Sequence, residues 1–125
     1  MAIFLQRLYN KTEKRFFLNA VKSTPIKSKY TYFPVKLYTS WCMIEAETGL
    51  SVSIGFKKTK KELMESFDAK GTDEILDRAK YVYLKEKSNM DIVRENTAKE
   101  LGCFIKELGD VLWQKQLTEK NGQQE

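Results

Sequence analysis

At Gly55 the spacing of apolar residues changes from two to three or four. Ahead of it, side chains alternate as half-buried strands require. Beyond it, they recur as one face of a helix requires. Strands gathered ahead of helices define an α+β chain. We expect an antiparallel sheet of about four to five strands in the N-terminal half, covered on one face by about three C-terminal helices.

Ile3 to Tyr9 reads as a strand and Asn10-Lys11-Thr12 as a turn. Residues 14–21 alternate loosely, which predicts a hairpin. A short helix capped by Thr12 fits the same residues, so strand and helix both stay open there. Pro25 marks a loop over residues 23–29. Tyr30 to Tyr38 alternates cleanly, with Phe33, Val35 and Leu37 on one side and Tyr30, Tyr32, Lys36 and Tyr38 on the other. Pro34 cannot donate to a ladder, so this strand is expected at an edge or a bulge. Trp41 to Ala46 and Leu50 to Ile54, joined through Glu47-Thr48-Gly49, predict a second hairpin with Cys42, Ile44 and Ala46 sharing a face with Leu50, Val52 and Ile54.

Thr59 followed by Glu62 has the form of a capping box, so a helix is expected from about Lys60 to Ala69, stopping at Gly71. Thr72 is the expected cap of a second helix, with Ile75, Leu76, Ala79, Val82 and Tyr83 as its buried stripe. Ser88 or Asn89 is the expected cap of a long third helix. Its stripe runs through Met90, Val93, Thr97, Leu101, Phe104, Leu108 and Val111, widened by Ile105 and Leu112. Gly102 and Gly109 lie on similar faces, which fits either close approach of another element or mild weak points costing about 1 kcal/mol each against Ala. No repeat or linker divides the chain. We read residues 1–119 as a single domain and residues 120–125 as a flexible tail.

Histidine is absent. That removes Ser-His and Cys-His nucleophile pairs and His-containing zinc sites, and Cys42 and Cys103 alone cannot close a structural one. No catalytic residue, metal or cofactor is therefore expected. Residues 49–59 do not make a phosphate loop. Five residues separate Gly49 from Gly55, Phe56 stands before the lysines, and the stretch between the glycines reads as a strand. No apolar run approaches the ~20 residues of a membrane helix, and Met1 to Leu5 lacks the charge of a secretory signal. We expect a cytoplasmic protein without a membrane partner.

Charge is divided unevenly. Residues 1–61 carry 12 Lys/Arg against 3 acids, a net of +9, whereas residues 62–125 have a net of −4. Ten of the fifteen aromatic residues lie in the basic part. Lys57, Lys58, Lys60 and Lys61 surround a predicted helix start, where free N–H groups attract anions. Tyr30, Tyr32, Lys36 and Tyr38 fall on one face of a predicted strand. Rings stack on unpaired bases while lysines hold phosphates, so these eight residues form the candidate nucleic-acid site. Trp113, next to Leu112 on the third helix, is the candidate protein contact or homo-oligomer surface. The acid pairs Asp73/Asp77, Asp91/Glu95 and Glu107/Asp110 read as hydrated helix surface.

The stretch Thr48-Gly49-Leu50-Ser51-Val52-Ser53-Ile54-Gly55-Phe56, followed by Lys57-Lys58-Thr59-Lys60-Lys61-Glu62, resembles the strand, lysine run and helix of small proteins encoded by phages and plasmids. The resemblance implies an accessory protein of a mobile element acting by binding, as anti-CRISPR inhibitors of host defence complexes do. The expected function is non-enzymatic engagement of nucleic acid or a nucleoprotein complex. A protein-contact module acting through the C-terminal helix is the alternative.

Overall fold

The computed structural model describes residues 1–52 and 55–123. Its elements are β1 (Ala2–Asn10), β2 (Arg15–Ser23), β3 (Ile26–Lys27), β4 (Thr31–Leu37), β5 (Ser40–Glu45), α1 (Lys60–Ser66), α2 (Ala69–Arg78), α3 (Lys80–Leu101), a 3₁₀ turn (Ile105–Glu107) and α4 (Leu108–Gln123). Strands precede helices, as the change of period predicts. The expected single sheet is instead two antiparallel sheets, β1-β2 and β3-β4-β5.

The two sheets stack between two helical layers. On one face of the β1-β2 hairpin, Leu18 and Ala20 pack with Ile3 and Leu5 against Met90 and Ala98 of α3 and Leu108 and Leu112 of α4. On its other face, Phe4 and Val21 meet Phe33, Val35, Cys42 and Ile44 of the second sheet. Phe4 stacks on Phe33 with ring centroids 4.6 Å apart. The far face of that sheet, Tyr32 and Met43, is covered by Leu63 of α1 together with Phe67 and Leu76. Both faces of β4 are thus buried, and four successive residues, Tyr32 to Val35, are out of water. Each fully buried Phe33, Met43, Ile44 or Leu63 contributes ~1.5–3 kcal/mol relative to exposure.

Local chemistry explains the turns. Asn10 Oδ1 accepts the N–H groups of Thr12 and Glu13, both at 2.9 Å. Asn10 thereby closes the first hairpin, in which Lys14 ends the turn and Arg15–Ser23 is strand. Pro34 sits in the middle strand of its sheet, but β3 reaches only as far as Tyr32. The Pro34 carbonyl faces away from β5 and accepts the Ser23 hydroxyl at 2.9 Å. Its ring nitrogen lies on that same side, where no ladder donor is needed.

The second hairpin is only partly formed. Glu45 N–H donates to the Leu50 carbonyl at 3.0 Å and Val52 N–H to that of Met43 at 2.9 Å. Ser51 stands opposite Ile44, so Leu50 and Val52 lie on the other face from the one expected, and Val52 joins Met43. A register offset of one residue reverses every side chain. Ser53 and Ile54 of the predicted strand lie outside the described residues. Pairing resumes where Trp41 and Lys57 exchange hydrogen bonds of 2.7 and 3.0 Å. The turn between these arms needs Gly49, whose φ is +69° and whose added Cβ would meet the Arg7 backbone nitrogen at 3.0 Å.

The helix boundaries shift for identifiable reasons. Thr59 caps α1 as predicted, its hydroxyl accepting the Glu62 N–H at 3.1 Å. The helix then ends at Phe67, because Asp68 rather than Thr72 caps α2 by accepting the Gly71 N–H at 3.0 Å. A break at Ala79 interrupts the predicted stripe. Tyr83 is buried and Leu76 half-buried, while Ile75, Ala79 and Val82 face solvent. Ser88 and Asn89 lie inside α3 and cap nothing. Gly102, at φ +68°, ends α3 with its N–H on the Lys99 carbonyl and the Cys103 N–H on that of Ala98. The predicted third helix is thereby split, which leaves Phe104 and Ile105 exposed before α4 begins. Gly109 does admit a close neighbour, since an added Cβ would lie 3.2 Å from Ile3.

Candidate nucleic-acid interface

The β4-β5 turn and the chain leading into α1 bring six of the eight predicted residues to one end of the second sheet. Lys36 is the cross-strand partner of Trp41, and Trp41 in turn is bridged to Lys57. Directly opposed residues project from the same face, about 5 Å apart, so Lys36, Trp41 and Lys57 form a row with the indole in the middle. The Lys60 Nζ stands 6.0 Å from the centre of the Trp41 ring. Lys58 and Lys61 extend the charge into solvent. Among the described residues, Lys61 alone of these five lysines has a carboxylate within 4 Å, that of Glu65 at 4.0 Å. Both partners are exposed, where such a pair is worth little.

Tyr38 occupies the turn between Leu37 and Ser40 at φ +59°. This left-handed conformation favours glycine, and a side-chain-bearing residue loses roughly 1–2 kcal/mol there. The ring regains nothing by packing, being 91% exposed. Phe56, one residue before Lys57, is also exposed. The surface thus has the exposed rings of Tyr38 and Phe56, the edge of Trp41, which is half-buried against the Leu63 core, and five lysines for charge. Sequence reasoning missed Trp41, which alternation alone assigns to a strand without saying that the strand sets it between Lys36 and Lys57. It also left Phe56 out, although its place in the lysine run was visible.

Tyr30 and Tyr32 are not on this surface. Tyr32 is fully buried, and its hydroxyl donates to Asp73 at 2.6 Å. The half-buried Tyr30 donates to Asp77 at 2.6 Å. Asp73 also accepts from the Ser28 hydroxyl and from the N–H groups of Lys29 (3.1 Å) and Tyr30 (3.4 Å). Lys29 Nζ lies 2.7 Å from Asp77. The pair read as hydrated helix surface is therefore a tie between α2 and the β3-β4 turn, with Asp73 buried. Burial pushes the Asp73 carboxyl up, but the hydroxyls of Ser28 and Tyr32 and the two backbone donors outweigh it, leaving it below the usual range. The bond to Asp77, with burial, raises the Tyr30 hydroxyl to about 12. Burial, then Asp73, raises that of Tyr32 further.

At the α1 N-terminus the Thr59 hydroxyl takes the Glu62 N–H, so one of the donors at that helix start is already occupied. Trp113 is half-buried at the edge of the α3-α4 core, with Lys22 Nζ 5.3 Å from its ring centre, and is not an open contact surface. Cys42 is buried and Cys103 half-buried, neither in a disulfide. Burial raises the Cys42 thiol. Among the described residues, no three His, Cys, Asp or Glu side chains group as metal ligands, and no helix is long and apolar enough to cross a membrane. No protein-family model, curated protein or solved structure matches the chain.

Proposed function

We propose that this chain is a non-enzymatic binding protein that holds single-stranded nucleic acid, free or within a nucleoprotein complex, on the surface formed by Tyr38, Trp41, Phe56 and Lys36, Lys57, Lys58, Lys60 and Lys61. The observation that carries this is Tyr38, an unpacked aromatic ring held where the backbone favours glycine. Rings of this kind stack on any base, and each good stack is worth ~1–3 kcal/mol. The lysines neutralise phosphates and set the salt dependence. As a mobile-element protein, which the resemblance of residues 48–62 implies, it would act by occupying the strand path of a host defence complex.

Fluorescence anisotropy with labelled single-stranded DNA and RNA tests the proposal. Affinity should fall between about 50 and 200 mM salt, and the Lys57/Lys58/Lys60/Lys61→Ala variant should flatten the log–log slope by about 3. Duplex of the same sequence should bind more weakly, its bases being unavailable for stacking. Absence of salt-dependent binding, or a lysine variant equal to wild type, would overturn the assignment.

A further inference from the structure

The fold leaves the outer face of α3 uncovered. Tyr81 is 83% exposed, Leu84 49% and Ile92 55%. At 100° per residue they share an arc of about 120° with Lys85, Ser88 and Asp91, all exposed. The opposite side of the same helix carries the buried Tyr83 and Met90. An apolar stripe of this length on a helix facing water is an interaction surface rather than scattered exposure.

The order of residues along the stripe matches its own reverse. In an antiparallel pair of α3 helices centred on Ser88, Leu84 faces Ile92 of the second copy and Lys85 faces Asp91. Tyr81 reaches Glu95, and Ser88 meets itself. Each contact off the axis occurs twice, as two-fold symmetry requires. The charges within the stripe agree with this register: Lys85 precedes Ser88, while Asp91 and Glu95 follow it. Asp91 accepts from Arg94 of its own chain at 3.3 Å through one oxygen, Oδ1. Antiparallel alignment also sets the helix dipoles against each other favourably. The geometry points to a homodimer in which α3 packs on α3 of a second copy about Ser88, on a face separate from the lysine and aromatic surface.

Light scattering and sedimentation equilibrium on the full chain, without nucleic acid, test this independently of the function proposed above. The mass should double with concentration. Lys85→Asp or Asp91→Lys alone places like charges together and should raise the dimer Kd at least about tenfold, and the two combined should restore it. In a Cys103→Ser background, Ser88→Cys should give a disulfide-linked dimer on mild oxidation. Lys85, Ser88 and Asp91 are exposed, and circular dichroism checks that each variant folds. A monomer at every concentration overturns the inference. So does a dimer indifferent to the charge changes and to Ser88→Cys, since it would use another face.

Discussion

Tyr38 shows how one residue separates stability from function. Its φ of +59° costs the fold, and its ring contributes no burial. Tyr38→Gly should therefore stabilise the protein by roughly 1 kcal/mol while removing a stacking ring. Tyr38→Ala retains the strain and should leave stability nearly unchanged. Urea denaturation and anisotropy on the same preparations check the pair: the midpoint should rise for glycine only, and affinity should fall for both. A glycine variant less stable than wild type would mean that the ring packs after all, and Tyr38 would lose its place in the interface.

Gly102 plays the corresponding part between elements. No heavy atom lies within 4 Å of a Cβ built there, so crowding is not its reason; its φ of +68° is. Gly102→Ala should destabilise by about 1 kcal/mol through backbone strain alone. Urea denaturation reads this directly, and a gain in stability would instead show that the α3-α4 break is dispensable. The break also marks a limit of sequence reading. The stripe from Met90 to Leu112 is periodic straight through Gly102, and a glycine's conformation is not visible in a pattern. The change of period at Gly55 and the Thr59 cap were legible because each depends on neighbours in the chain, whereas residues 14–21 fitted a strand and a short helix alike. Alternation also separated the two faces of β4 correctly. It could not say that both would be covered, because α2 arrives from more than thirty residues away, and so Tyr32 was expected in solvent. For the same reason six of the candidate residues were found in the sequence, whereas Trp41 emerged only when β5 was seen between Lys36 and Lys57.

Across the whole molecule, the two helical layers are tied to the sheets by buried polar contacts as well as by apolar packing. Arg7, buried on the hairpin, reaches Glu86 of α3, and Asp73 of α2 gathers four donors from residues 28–32. The Asp73 tie gives stability a dependence on pH at both ends. Asp73 and Asp77 are held below the usual carboxylate range when folded. Unfolded chains then bind more protons at acid pH, so this stabilisation is present above about pH 4 and is lost as pH falls through the folded values. Tyr30 must keep its proton to donate, and its value rises from 10.0 to about 12 on folding. The unfolded chain loses that proton first, so stability is present below about pH 10 and declines as pH climbs toward 12. Asp73→Asn should lower the neutral plateau by roughly 2–3 kcal/mol and flatten the acid limb, because charge-assisted bonds weaken and the titrating group is gone. Tyr30→Phe should flatten the alkaline limb instead. Urea unfolding followed across pH distinguishes the two, and an acid limb unchanged in Asp73→Asn would show that other carboxylates, not this tie, set the acid stability of the fold.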